Sequence, residues 1–287
     1  MKKLLITGAN GQLGSEIQFL AKQYPNYELV LTDYAELDIT NLQAVLGFVK
    51  GTSYYAIINC AAYTAVDKAE TETEKAYQIN EIGATNLATA AKQLGAKFIH
   101  VSTDFIFDGT QSAPIVEEAM PNPISVYGAS KLAGEKAVIN ANGDAVIFRT
   151  SWVYSSYGAN FVKTIIRLCR ERDNLSIIYD QIGTPTYARD LAQTILSTLD
   201  TIVEKKFSGV FNFSDEGVAS WYDFAIAIRD MAGLSTTILP IETSQYPTPA
   251  TRPKYSVLSK KKIKETFDLE IPYWRDSLKS CMALLQE

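Results

Sequence analysis

The chain has 287 residues, of which 47% are hydrophobic and 21% charged, so it can bury a large core and has an ordinary globular composition. Its net charge of −5 provides no basic surface for nucleic acid or anionic membrane. No apolar run reaches the ~18 residues of a membrane span, the apolar start is too short for a secretion signal, and three cysteines without paired spacing fit a reducing cytoplasm.

The N-terminal half alternates between short apolar strands and helical segments. Strands are predicted in KLLIT (Lys3–Thr7), YELVLTD, YAIINCAAY, AKFIHVSTDFIF and DAVIFRTSWVY. Helical patterns occupy GQLGSEIQFLAKQ, NLQAVLGFVK and AYQINEIGATNLATAAKQLG. Short apolar strands separated by helices are typical of a parallel sheet with helices on both faces. We therefore predict an α/β fold with a doubly wound parallel (Rossmann) sheet.

This alternation loosens after Ser151. Helices are predicted in NFVKTIIRLCRE, RDLAQTILSTLD, WYDFAIAIRDMAG and YWRDSLKSCMALLQ, and strands in LSIIYDQ and GVFNFSD. We predict a dinucleotide-binding domain of residues 1–151, to which 188–214 returns, and a smaller C-terminal α/β substrate-binding lobe of residues 152–187 and 215–287. The charged stretches ETETEK and KKKIKE are interpreted as solvated helix faces.

A glycine-rich turn lies between the first strand and the first helix. The stretch TGANGQLG places Gly8, Gly11 and Gly14 there, with the spacing G-x-x-G-x-x-G. Glycine allows a sharp turn and close approach of a pyrophosphate, while a helix N-terminus offers free N–H groups and partial positive charge. This context predicts a dinucleotide site. The alternative is a glycine-rich turn that binds nothing.

Polar and small residues follow the later strands of the predicted sheet. Asp33 ends the second strand 19 residues after Gly14, where its carboxylate can accept a hydrogen bond from a ribose 2′-hydroxyl and favour NADH over NADPH. The alternative role for Asp33 is that of a cap or loop residue. Ligands of open α/β sheets bind at the carboxyl ends of the strands. The other candidates at that edge are Asp38–Thr40, Asn59–Thr64 and Ser102–Asp104.

The stretch SVYGASKLAGE places Tyr127 and Lys131 four residues apart, on one face of a helix. An amine beside a phenol stabilises the phenolate, so we expect the pKa of Tyr127 to move down toward neutral pH. That would make Tyr127 a usable acid. The alternative is an ordinary surface pair. His100, within the strand KFIHVS, is expected to have a packed or hydrogen-bonded structural role.

The glycine turn, the strand-end threonine and the Y-x-x-x-K pair together resemble the extended short-chain dehydrogenase/reductase family. Thr103 lies 24 residues before Tyr127. Stretches such as NCAAYTAVDKAE, VSTDFIFDG, DQIGTPTYARDLA and TPATRPKYSVL are similar to members that act on dTDP-linked keto-sugars. The resemblance implies reduction of the C4 ketone of dTDP-4-dehydro-L-rhamnose by NADPH or NADH, as a step of dTDP-rhamnose biosynthesis.

The same resemblance implies roles for individual residues. Thr103 would hydrogen-bond the carbonyl oxygen, Tyr127 would donate a proton, and Lys131 would stabilise the phenolate and bind the nicotinamide ribose. Contacts to the cofactor would come from Asn10, Gly11, Gln12, Leu13, Asp38, Ile39, Ala61 and Ala62. Contacts to the sugar nucleotide would come from Asp104 and Trp152, with Asn160 and Arg252 as weaker candidates. The alternative for Trp152 is a core position.

Two further expectations concern assembly and competing activities. Some relatives bind magnesium at a dimer interface through acidic residues, but here Arg189 and Gln193 stand at two of those places and only Glu16 remains. We therefore expect no metal, no metal-bridged homodimer, and a monomer or weak dimer. The alternatives to the reductase are another nucleotide-sugar 4-reductase, a 4-epimerase, and a non-catalytic nucleotide-binding regulatory subunit of the same fold.

Overall fold

The computed structural model describes residues 1–285, in which strands and helices alternate along the chain. The strands are β1 (Lys2–Thr7), β2 (Tyr27–Thr32), β3 (Ala56–Asn59), β4 (Lys97–Thr103), β5 (Val146–Thr150), β6 (Val153–Tyr154), β7 (Asn174–Ile178), β8 (Ile182–Gly183), β9 (Thr186–Tyr187), β10 (Gly209–Asn212), β11 (Ala219–Ser220) and β12 (Thr237–Ile241). The helices are α1 (Gln12–Leu20), α2 (Leu42–Val49), α3 (Val66–Ala69), α4 (Thr73–Tyr77), α5 (Ala84–Leu94), α6 (Val126–Ala141), α7 (Phe161–Glu171), α8 (Ala188–Glu204), α9 (Trp221–Met231), α10 (Lys261–Phe267) and α11 (Trp274–Leu285). None of these helices is both long and apolar enough to cross a bilayer.

Six parallel strands form the central sheet, in the order β10-β5-β4-β3-β1-β2. The predicted doubly wound parallel sheet is therefore confirmed. The chain runs outward from β1 to β2 and then returns to β3 on the other side of β1. Such a reversal of strand order opens a crevice at the carboxyl ends of the strands, which is the usual ligand site in this architecture.

Helices cover both faces of the sheet, which explains why its strands are apolar throughout. Along β1, Leu4 and Ile6 face a core shared with α1, α8 and α10. Leu5 points to the opposite core, shared with α2, α5 and α6. This alternation follows from the two-residue period of side chains along a strand.

The C-terminal part of the chain has a separate core of its own. It is built from α7, α9 and α11, with Phe224, Trp274 and Leu278 fully or almost fully buried among them. The short strands β7 and β12 pair in parallel beside these helices. Two intervening elements belong instead to the core on the α1 face of the central sheet, since α8 packs against α1 and β10 extends the sheet beside β5.

Candidate active site

A cavity of about 1270 Å³ opens at the carboxyl ends of β1, β2 and β3, where the strand order reverses. Such a cavity is larger than most small-molecule pockets and has room for an elongated ligand. Eight of the residues predicted to bind the cofactor line it: Gly8, Asn10, Gly11, Asp33, Asp38, Ile39, Ala61 and Ala62.

The floor of this cavity is the glycine turn between β1 and α1. Gly8 has a φ of +64°, and a Cβ there would lie 2.6 Å from the backbone nitrogen of Ala61. Only glycine fits this position, because any side chain would push apart the turn and the loop after β3. Gly11 is the N-cap of α1 and caps it without a side chain, so the first N–H groups of the helix stay available for an anion. The turn therefore suits a diphosphate.

The remaining predicted residues of the turn do not line the cavity. Leu13 and Gly14 are buried in the first turn of α1, with Leu13 in the core beneath it. Gln12 contacts the second lobe, since its Oε1 accepts from Asn160 Nδ2 at 2.9 Å. Asn160 also caps α7, where its Oδ1 accepts from the N–H of Lys163. Gln12 and Asn160 thus connect the two parts of the molecule.

Asp33 lies at the cavity wall and also holds the turn in place. Its Oδ2 accepts from the N–H of Asn10 at 3.0 Å, and its Oδ1 accepts from the N–H of Tyr34 at 2.8 Å. The two roles considered for this residue are compatible, because a carboxylate oxygen can accept more than one hydrogen bond.

A buried hydrogen-bond network supports the loop after β3. Asn59 Oδ1 accepts from the Thr7 hydroxyl and from the N–H of Ala61, so its Nδ2 must donate to Nδ1 of His100, 3.1 Å away. Burial lowers the pKa of His100 well below its ordinary value, which keeps the ring neutral. The predicted structural role of His100 is confirmed.

Thr103, Tyr127 and Lys131 lie together where β4 ends against the start of α6. Ser125 caps α6 by accepting from the N–H of Gly128 at 3.2 Å. A Cβ at Gly128 would lie 2.1 Å from the carbonyl oxygen of Phe105, so glycine lets the helix approach this backbone closely. As a result the Tyr127 hydroxyl interacts with that of Thr103, and the Tyr127 ring packs edge-on against Phe105.

The electrostatics of this cluster differ from expectation. Burial raises the pKa of Tyr127 to about 12, although a hydrogen bond with the Thr103 hydroxyl acts to lower this pKa. Burial also lowers the pKa of Lys131 to about 8, and its ammonium donates to the carbonyl of Val101 at 2.7 Å. The prediction that Lys131 draws the pKa of Tyr127 down toward neutral pH is wrong, because burial disfavours the charged phenolate and the negative charge of Asp104 acts in the same direction. Tyr127 therefore holds its proton at neutral pH.

Asp104 is buried beside Thr103, one residue beyond the end of β4. Burial raises its pKa to about 6, although the hydroxyls of Ser256 and Thr103 favour the carboxylate. This sets it apart from surface aspartates, whose carboxyl groups stay ionised down to about pH 4.

The two other predicted substrate contacts are held by neighbours within the chain. Trp152 lies just past β5 with a φ of +47°, a strained conformation for a large residue, and stacks on Trp221 with ring centroids 3.6 Å apart. Arg252 makes a two-pronged ion pair with Asp67, at 3.0 and 2.7 Å. Their roles toward a substrate stay predictions.

The two charged stretches interpreted as solvated faces are exposed or half-buried at most positions, as predicted, but each also makes specific contacts. Residues 71–75, from ETETEK, line the large cavity opposite the glycine turn, and Glu72 accepts from the Tyr63 hydroxyl. The signal for this was the position of the stretch soon after β3, at the ligand-binding edge of the sheet. In KKKIKE, Lys260 is buried and Lys264 donates to Glu216 at 2.7 Å.

Glu16, expected to remain from a metal site seen in some relatives, is fully buried and satisfied within the chain. Its Oε2 accepts from Arg189 at 2.7 Å, and its Oε1 accepts from the Ser155 hydroxyl at 2.6 Å. The guanidinium thus neutralises this carboxylate without any other cation.

The chain is similar over its whole length to proteins of one known family. The family model described as the RmlD substrate binding domain matches residues 1–287. The chain belongs to this family. A dTDP-4-dehydrorhamnose reductase from Aggregatibacter actinomycetemcomitans is 41% identical over 291 residues, which covers 99% of each chain. The predicted resemblance and the class of nicotinamide-dependent oxidoreductase are therefore confirmed.

Solved structures agree with this membership. A dTDP-4-dehydrorhamnose reductase from Clostridium acetobutylicum is 45% identical and superposes with a TM-score of 0.94 over 99% of this chain and 100% of that one. A dTDP-4-dehydrorhamnose reductase from Bacillus anthracis, solved in complex with NADP, is 41% identical with a TM-score of 0.92 and 99% coverage of both chains.

Proposed function

We propose that this protein reduces the C4 ketone of dTDP-4-dehydro-L-rhamnose to give dTDP-L-rhamnose, with NADPH or NADH as cofactor and Tyr127 as proton donor. The observation that supports this most is the buried cluster of Thr103, Tyr127 and Lys131, which lies at the same sheet edge as the glycine-floored cavity. Membership of a family that contains curated reductases of this substrate points the same way. The cytoplasm, where nucleotide sugars are made, is the proposed location.

The cavity residues fit a dinucleotide. Gly8, Gly11 and the N-terminus of α1 would hold the diphosphate, while Asp38, Ile39, Ala61 and Ala62 would border the adenosine. Asp33 would accept from a ribose hydroxyl and disfavour a 2′-phosphate, yet a relative 41% identical was solved with NADP, so we keep both cofactors. When bound, the reduced nicotinamide supplies the hydride.

The chain's own residues supply the proton and the charge stabilisation. Tyr127 stays protonated at neutral pH and can give its proton to the alkoxide that develops at C4. The Lys131 ammonium would stabilise the resulting phenolate, and the Thr103 hydroxyl would donate to the carbonyl oxygen. Proton transfer of this kind contributes about 10²–10⁴-fold to the rate.

The two parts of the chain would divide the task. Residues 1–151 with 188–214 would bind the cofactor, and residues 152–187 with 215–287 would bind the sugar nucleotide through Trp152 and Arg252. We propose a monomer or weak dimer, since the ion pair between Glu16 and Arg189 satisfies the carboxylate within one chain.

The test is oxidation of NADPH and of NADH, followed by the absorbance of the reduced nicotinamide, with and without dTDP-4-dehydro-L-rhamnose. We expect oxidation that depends on the sugar nucleotide. A UDP-linked keto-sugar, assayed in parallel, tests whether the protein requires the thymidine nucleotide of the substrate. Inversion at C4 of a dTDP-sugar that carries a C4 hydroxyl, with no net change of the cofactor, would support a 4-epimerase instead, and cofactor binding without any turnover would support a regulatory subunit.

A further inference from the structure

The hydrogen bonds of Thr103 do not match the role proposed for it. Its hydroxyl donates to Oδ1 of Asp104 at 3.0 Å and accepts from the N–H of Phe105 at 3.2 Å. A threonine hydroxyl has one proton and two lone pairs. While that proton points to Asp104, Thr103 has none to offer to a ketone oxygen.

We propose that Asp104 is a positioning residue that works as a carboxylic acid: it donates its own proton to Thr103 Oγ1 and so frees the Thr103 hydroxyl to donate to the substrate ketone. This inference rests on the proposed function. With Asp104 protonated, the two lone pairs of Thr103 accept from Asp104 and Phe105, and its proton points to the reacting oxygen. Every hydrogen-bonding group of Thr103 is then used, with its proton on the side where the Tyr127 hydroxyl lies, and no covalent bond changes.

The surroundings of Asp104 favour the acid form. Its side chain is 1% exposed, and in the described part of the chain its Oδ2 has no hydrogen-bond partner and no cation pairs with it. A buried carboxylate without a counter-ion is costly, which is why the pKa of Asp104 is raised to about 6. A change of pH around 6 therefore decides whether Thr103 donates to Asp104 or Asp104 donates to Thr103.

Other titratable groups near this cluster can be separated by where they ionise. Tyr127 faces Asp104 from α6 and is neutral below about pH 12. Lys131, on the same helix face, has a pKa near 8. His100, on β4, is already neutral because burial lowers its pKa. The segment after β12 contributes the Ser256 hydroxyl, which favours the carboxylate form of Asp104.

These groups predict a specific pH profile. The pH dependence of kcat/KM reports the ionisation of the free enzyme. Since the reaction needs protonated Asp104 and protonated Lys131, kcat/KM for the keto-sugar should fall as pH rises through about 6 and again through about 8. Between about pH 6 and pH 8, kcat/KM should fall about tenfold per pH unit, because only the proton of Asp104 is lost in this range.

The variant Asp104→Asn separates this proposal from a merely structural role. A carboxamide N–H₂ can donate to Thr103 Oγ1 but does not titrate, so the first fall should disappear and the fall near pH 8 should remain. Ser256→Ala, which removes a hydroxyl that favours the carboxylate, should move the first fall to higher pH. Thermal melting of each variant checks that it is folded. A first fall that survives in Asp104→Asn at the wild-type pH would overturn the proposal.

A second readout does not depend on turnover. With ¹³C-labelled aspartate, the Asp104 carboxyl signal, identified by its loss in Asp104→Asn, should titrate near pH 6 rather than near the ordinary value of 3.8. Titration near 3.8 would contradict the proposal. If the wild type reduces no nucleotide sugar, the proposed function fails, while this titration still decides whether Asp104 holds a proton up to about pH 6, as donation to Thr103 requires.

Discussion

Replacing Gly128 with alanine tests how α6 presents Tyr127 to the rest of the cluster. The added Cβ would lie 2.1 Å from the carbonyl oxygen of Phe105, about 1.3 Å inside a close carbon–oxygen contact of about 3.4 Å. The obstructing atom belongs to the backbone that follows Thr103 and Asp104, so no side chain can turn away to relieve the overlap. The helix and this segment must therefore move apart.

The size of the effect follows from that displacement. Forcing extra volume into a packed interior costs about 1–3 kcal/mol of folding free energy. A shift of about 1 Å between groups that act together on a substrate costs about 10²-fold in rate. We therefore expect Gly128→Ala to fold with a lower melting temperature and to lose about 10²-fold in kcat, because Tyr127 moves relative to Thr103.

The assay is oxidation of the reduced nicotinamide at saturating keto-sugar, with urea unfolding measured in parallel. Gly47→Ala is the matched control, since Gly47 lies on the exposed face of α2 and an added Cβ would meet nothing within 4 Å. That control should keep wild-type kcat and gain about 0.5–1 kcal/mol of stability. A Gly128→Ala protein with wild-type kcat and stability would refute the close approach of α6 as the reason for glycine.

Three further substitutions test other parts of the site. Tyr127→Phe should lower kcat by about 10²–10⁴-fold with little change in the dissociation constant of NADPH measured by fluorescence, and equal turnover would remove Tyr127 as proton donor. Trp152→Ala should raise the KM for the sugar nucleotide more than that for the cofactor, whereas unchanged KM values for both with a lower melting temperature would place Trp152 in the lobe core alone. Arg189→Met leaves the fully buried Glu16 without its cation and should cost about 3–5 kcal/mol in urea unfolding. A loss much smaller than this would mean that Glu16 takes up a proton or reaches water.

The fold could be predicted from the sequence because its signals are local. The apolar run of β1 and the glycines after it lie within a few neighbouring residues, and their order determines a parallel sheet with a ligand site at its carboxyl edge. The membership of Thr103, Tyr127 and Lys131 in one cluster was also predictable, since the family resemblance lies in their spacing.

What could not be predicted depends on contacts between distant segments. The pKa of Tyr127 is set by burial, which no spacing of Tyr and Lys reveals. Arg252 meets Asp67 across 185 residues of chain. The lining of the cavity by residues 71–75 was missed because their charges suggest a solvated surface.

The most direct test of the central claim is the fate of the transferred hydrogen. The enzyme would be given dTDP-4-dehydro-L-rhamnose and reduced cofactor deuterated at the transferred position of the nicotinamide, and the product would be examined by NMR. We predict dTDP-L-rhamnose with deuterium at C4 of the sugar. The Tyr127→Phe variant should form this product much more slowly than the wild type. Product without deuterium at C4, or no reduced sugar at all, would contradict the account.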